Sequence, residues 1–201
     1  MKRQIVWLLV AGMFTESVKA QTSSKQDYRN FPIVLSVQFH SLAFPLKDLT
    51  SNFKNVGIGI GTEIALGSKH NWAQQFQLSW YRNKQAGNGV LVYTQSSWRP
   101  TLVSHVYSEL KAGFGFTYNF RPVESFKQDN GEWTSVGHKG KWLFTVPIGI
   151  SLGYNDFSNN TYVAPFVSYQ VLASLGYAKG IPVITNSLFQ LGTRIHLQNK
   201  K

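Results

Sequence analysis

Apolar and polar residues alternate along most of this chain with a period of two. That is the spacing of a β-strand, whose successive side chains point to opposite faces. Over 56–66, Val56, Ile58, Ile60, Ile64 and Leu66 form one row, and Gly57, Gly59, Gly61, Glu63 and Ala65 form the other. Over 72–82, Trp72, Phe76, Leu78 and Trp80 oppose Gln75, Gln77, Ser79 and Tyr81. Over 104–119, Val106, Leu110, Phe114, Phe116 and Tyr118 share a row against Glu109, Lys111, Gly113, Gly115, Thr117 and Asn119. Segments 142–154 and 187–197 repeat the pattern, the latter setting Phe189, Leu191, Ile195 and Leu197 against Gln190, Gly192, Arg194 and His196. Segment 32–41 alternates less cleanly. In 90–99, Val90 and Val92 compete with Leu91 and Tyr93 for the apolar row, and in 162–174 both rows carry apolar residues. The pattern predicts an all-β chain of eight antiparallel strands.

Two features favour a transmembrane barrel over a soluble one. The rows opposite the apolar ones hold glycines and hydrogen-bonding residues, which suit the narrow interior of an eight-stranded barrel. A water-facing exterior would instead carry many Lys, Glu and Thr and few glycines. The connections also alternate in length: 42–55, 83–89, 120–141 and 175–186 are long, whereas 67–71, 100–103 and 155–161 are short or no longer than the shortest of the first set. Short periplasmic turns and longer extracellular loops give this rhythm and place both termini in the periplasm. Trp72, Trp80, Trp98, Tyr118, Trp142, Tyr154 and Tyr162 lie near predicted strand ends, where a membrane-interface girdle would sit.

The N-terminus adds an address. Met1-Lys2-Arg3 precedes an apolar run, Ile5 to Phe14, and Val18-Lys19-Ala20 stands before Gln21. This is the layout of a cleaved secretory signal peptide, too short in its apolar part to span a bilayer about 30 Å thick. The expected organisation is a signal peptide at 1–20, a polar periplasmic leader at 21–31, a barrel at 32–197 and a tail at 198–201. Without the signal, the net charge falls from +11 to +9, because Lys2, Arg3 and Lys19 leave with Glu16. The positive charges are scattered and form no nucleic-acid stripe. Outer-membrane lipid and lipopolysaccharide are the expected partners, with an envelope protein as a further one. There is no cysteine, so neither a disulfide nor a thiolate metal site can form.

On these grounds the chain resembles the small eight-stranded barrels of the Gram-negative outer membrane, of the OmpA transmembrane-domain and OmpX type. The resemblance covers 32–197 as a pattern and not as a motif. It implies a porin-like cell-envelope component placed in the outer membrane. Many such barrels end on an aromatic residue; here the end is Ile195-His196-Leu197-Gln198-Asn199-Lys200-Lys201.

Three features could carry chemistry. Glu63, Glu109, Lys111 and Arg194 fall on lumen rows and predict a polar network, since a buried charge demands partners. The pairs His40-Ser41 and Ser104-His105 invite comparison with barrel enzymes that cut or transfer lipid A acyl chains. A Ser nucleophile needs a His within hydrogen-bond reach, and adjacent strand residues point apart. Catalysis is therefore the less favoured reading and no catalytic residue is assigned. Neither His70 nor His138 belongs to a metal-ligand spacing, and no cofactor is expected. Finally, loop 120–141 holds Asp129-Asn130-Gly131, a hairpin turn signal. Trp133, Lys139 and Lys141 around it are candidates for extracellular contact. The leading expectation is a non-enzymatic barrel with a structural or interaction role. The alternatives are a lipid A acyl hydrolase or transferase and a soluble exported ligand-binding barrel.

Overall fold

A computed structural model describes residues 31–41, 53, 55–66, 71–83, 87–103, 105–155, 162–178 and 180–197. The signal-peptide, leader and C-terminal-tail readings lie almost wholly outside them, as do Ser104 and His70. Eleven strands form: β1 (Ile33–Ser41), β2 (Val56–Leu66), β3 (Trp72–Tyr81), β4 (Gly89–Trp98), β5 (Thr101–Val103), β6 (Val106–Asn119), β7 (Ser125–Asp129), β8 (Glu132–Gly137), β9 (Lys141–Tyr154), β10 (Tyr162–Ala178) and β11 (Ile181–His196). Eight of them pair antiparallel in the cyclic order β1-β2-β3-β4-β6-β9-β10-β11. The ring is sealed where β1 meets β11, from Ile33 opposite Ile195 to Ser41 opposite Ser187. Closure leaves no barrel strand edge bare over the paired span, which is what lipid demands of a sheet.

Burial follows the sequence alternation. In β3 it swings strictly between exposed or half-exposed and buried residues from Trp72 to Tyr81. The outward row is apolar and bare: Ile58, Phe114, Ile148 and Ile150 are all more than half exposed. The inward row is polar and dry, with Gln38, Glu63, Gln75, Glu109, Gln170 and Arg194 at or below 1% exposure. A soluble ligand-binding barrel has these two faces reversed, so that alternative is set aside. The ambiguous β4 resolves with Leu91 and Tyr93 inside, packed with Leu172 and Leu188, and Val92 outside. Inward glycines let large side chains lie flat against the wall. A Cβ on Gly59 would sit 2.2 Å from Gln38 Nε2, and one on Gly153 2.2 Å from the Tyr107 hydroxyl.

The structure corrects the last hairpin. The expected strands 162–174 and 187–197 extend to Ala178 and back to Ile181, so the expected 175–186 loop shrinks to residues 179–180. The ladder continues through Leu175 opposite Val183 and shifts register before Ala178 opposite Ile181. Gly176 in the left-handed region (φ +81°) accompanies this bulge and breaks the two-fold alternation there. At about 3.3 Å per residue, the 17 residues of β10 run roughly 56 Å, against about 30 Å for the nine of β1. At the rim opposite the termini, β10 therefore runs well beyond the last described pair of β1. Tyr162 is also corrected: it faces inward and stacks on His196 (ring centroids 4.2 Å), so it is not part of an outer girdle. Trp72, Trp80, Trp98, Trp142 and Tyr154 do face outward.

Between β6 and β9 the chain forms a separate two-stranded sheet, β7–β8, turning through Asn130 (φ 50°) and Gly131 (φ 91°). Two consecutive positive φ values are the signature of a type I′ turn, as the Asp-Asn-Gly run predicts.

Candidate functional site

The lumen is the most organised chemical environment in the molecule. Glu63 stands three residues from the end of β2, Glu109 three from the start of β6, and Arg194 two from the end of β11. All three lie in the half of the barrel nearest the termini. Their strands point them to one centre, where Arg194 Nε donates to Glu63 Oε2 at 3.0 Å. Its Nη2 donates to both Glu109 oxygens at 2.9 Å, and its Nη1 to the Tyr107 hydroxyl. Lys111 Nζ reaches Glu109 Oε2 at 3.0 Å. The structure thus brings together all four residues that the lumen rows pointed to.

It adds a fifth charge. Arg99, just beyond β4, sends Nη2 to both Glu63 oxygens at 2.9 Å and Nε to Glu109 Oε1 at 2.7 Å. Each carboxylate is therefore held by both arginines. The guanidiniums of Arg99 and Arg194 lie 5.1 and 5.7 Å from the Tyr107 ring centre, and Arg194 lies 4.5 Å over Phe166. Lys111 Nζ lies 5.1 Å over the same Phe166 ring. Cation–π contacts of this kind are strongest where water is absent. Among the described residues, the buried Asp, Glu, Lys and Arg side chains are these five, two anions and three cations. Arg99 carries a signal in the sequence: Gln95, Ser97 and Arg99 share a parity with the inward Leu91 and Tyr93, and Trp98 faces the other way.

Amides fill the lumen above the charges. Gln75 Nε2 donates to Glu63 at 2.8 Å, and Gln75 Oε1 accepts from Gln95 Nε2 at 2.7 Å. The Tyr93 hydroxyl donates to Gln77 at 2.8 Å, and Gln170 joins Gln190 at 3.0 Å. Higher still, Thr117 and Thr145 hydroxyls meet at 2.7 Å, and Tyr81 donates to Asn119 at 2.7 Å.

His40 belongs to this filling. Its ring stacks on Tyr81 at 3.9 Å and its Nδ1 contacts Asn83 Nδ2 at 3.2 Å. Both His40 and Ser41 are buried, so burial does not alternate at the end of β1 as it does before it. Among the described residues no group of three or more His, Asp or Glu side chains could hold a metal ion. Of the loop candidates, Trp133 is 68% exposed and Lys139 is exposed. Lys141 opens β9 and its Nζ donates to the Gly176 carbonyl at 2.6 Å, tying β9 to the tall hairpin.

Comparison with known proteins places this geometry. No family model matches the chain, and no curated protein is recognisably similar in sequence. Solved structures are similar. Neisserial surface protein A superposes with a TM-score of 0.52 at 12% identity, over 83% of this chain and 97% of that one. The N-terminal β-barrel domain of Pseudomonas aeruginosa OprF aligns over 84% and 98% at 12% identity (TM-score 0.41). The Yersinia pestis outer membrane protein Ail aligns over 82% and 99% at 12% identity (TM-score 0.40). The closed eight-stranded antiparallel ring and its apolar exterior make this chain a transmembrane β-barrel of the fold seen in Neisserial surface protein A.

Proposed function

We propose that this protein is a non-enzymatic, non-conducting barrel of the bacterial outer membrane that presents its tall rim to partners outside the cell. The observation that carries this reading is the lumen. Two carboxylates, two arginines and a lysine close it at one level, and hydrogen-bonded amides fill it above. Eight strands enclose only enough space for such side chains. The charged groups in it are engaged with each other, as a scaffold requires. His40, the histidine best placed for acid–base work, is packed flat on a tyrosine.

The rim carrying Ile33 and His196 is assigned to the periplasm and the opposite rim to the outside. There the β7–β8 sheet and the β10–β11 tip carry exposed Phe126, Trp133, Tyr177 and Ile181. Lys139 beside them suits the phosphates of lipopolysaccharide, and the aromatic residues suit an envelope protein surface. Two measurements test the reading together. Protein refolded into planar bilayers should give no steady conductance, and lipid A mass spectra should be the same with and without the protein in cells. A stable open channel, or a changed acylation pattern, would reject it.

A further inference from the structure

The outer wall of β2, β3, β4 and β6 departs from a uniform apolar belt. The registers align outward side chains into rungs running across these four strands. Nearest the termini is Leu66–Trp72–Trp98–Leu110. The next rung is Ile64–Gln74–Ser96–Ala112, and beyond it Thr62–Phe76–Thr94–Phe114. Gln74 and Ser96 are thus amide and hydroxyl on a face that, apart from Thr62 and Thr94, is hydrocarbon in these rungs. They bond to each other and to Thr94: Ser96 Oγ donates to Gln74 Oε1 at 2.7 Å, and Gln74 Nε2 donates to Thr94 Oγ1 at 2.5 Å. An amide nitrogen carries two hydrogens, so one donor of Gln74 remains for an acceptor outside the wall. Immediately deeper, the short Thr62 and Thr94 side chains between Phe76, Leu78, Phe114 and Phe116 leave a groove of about 580 Å³.

Depth orders these features. Outward Trp72 and Trp98 mark the membrane interface, since tryptophan prefers that level. Gln74 and Ser96 sit two residues further along their strands, about 6.6 Å. That is the level at which glycerol ester carbonyls give way to acyl chains, and an ester carbonyl accepts but cannot donate. We infer that this face binds one diacyl glycerophospholipid of the leaflet on the terminal side, an ester carbonyl accepting from Gln74 Nε2 and one acyl chain lying in the groove between Phe76 and Phe114. A second barrel would need donors and acceptors matched on a self-complementary face. The patch offers one donor at ester depth beside a chain-wide apolar groove. The inference rests on the barrel reading above.

The test is native mass spectrometry of the full chain, folded in bilayers of defined phosphatidylethanolamine and released in mild detergent. Wild type should retain one phospholipid per monomer, and diacylglycerol, which lacks the head group, should occupy the site equally well. Gln74→Leu with Ser96→Ala should lower occupancy about tenfold. Thr62→Phe, which fills the groove from β2 and leaves the Gln74, Ser96 and Thr94 bonds in place, should lower it as well. Heat-modifiable gel migration confirms that each variant is folded. A folded wild type that retains no phospholipid, variants that retain it fully, a strict head-group requirement, or a dimer that Gln74→Leu/Ser96→Ala splits would each overturn the site. None of these would unsettle the barrel itself, whereas a wild type that cannot fold in bilayers would overturn the barrel reading.

Discussion

Neutralising Glu109 should be among the most damaging single changes available in this barrel. Its carboxylate accepts from Arg99 at 2.7 Å, from Arg194 at 2.9 Å through both oxygens, and meets Lys111 at 3.0 Å. Glu109→Gln preserves shape and removes one of two anions, leaving three buried cations to share Glu63. Breaking a buried pair by removing one partner typically costs about 3–5 kcal/mol, because the orphaned charge stays buried. Lys111→Met is the contrast. It removes the cation in excess, leaves two carboxylates with two arginines, and puts a thioether against Phe166. Replacing a buried charge with a well-packed apolar group is often near neutral, so the expected change is about 1 kcal/mol or less. The double variant should be less destabilised than Glu109→Gln alone. The assay is urea unfolding in phospholipid vesicles, read by tryptophan fluorescence and by gel migration of unboiled samples. If Glu109→Gln stays within about 0.5 kcal/mol of wild type, or Lys111→Met is equally harmful, the reading of the cluster as an interlocked network fails.

Three further outcomes follow from the geometry. Gly153→Ala places a methyl group against the Tyr107 hydroxyl that Arg194 donates to, and should destabilise by roughly 1–3 kcal/mol in the same unfolding assay. Because β7–β8 is a sheet of its own, proteolysis within Ser125–Gly137 should leave the remaining barrel heat-modifiable; loss of the folded gel band after cleavage would contradict this. The chain has no cysteine, so Trp133→Cys and Leu102→Cys report sidedness cleanly. A membrane-impermeant maleimide on intact cells should label the first and not the second, and the reverse pattern would invert the assigned orientation.

The fold was legible because outward and inward rows differ in polarity: a strand between lipid and a narrow polar lumen must alternate. Legibility failed where that contrast faded. In β10 the interior holds Phe166 and Leu172, so both rows read as apolar, and the Gly176 bulge hides the last turn of the ladder. Four of the five lumen charges were legible from parity alone. Arg99 was not, since the phase of β4 was undecided until Leu91 and Tyr93 were seen inside. The outward polar residues Thr62, Gln74, Thr94 and Ser96 break the apolar face without changing its two-fold period, so alternation alone does not reveal them.

The ion-pair cluster also has a consequence in time. Glu63 and Arg194 are separated by 131 residues, Glu109 and Arg194 by 85. Their bonds cannot form until β11, the last strand made, has come round to β1. Until then Glu63 and Glu109 have only Arg99 and Lys111 as cationic partners, and lack the second arginine that holds both. Long-range contacts of this kind slow folding, because chain ends must meet before anything is gained. Arg194 is thus the last member to join: sealing β11 onto β1 completes the network around both carboxylates.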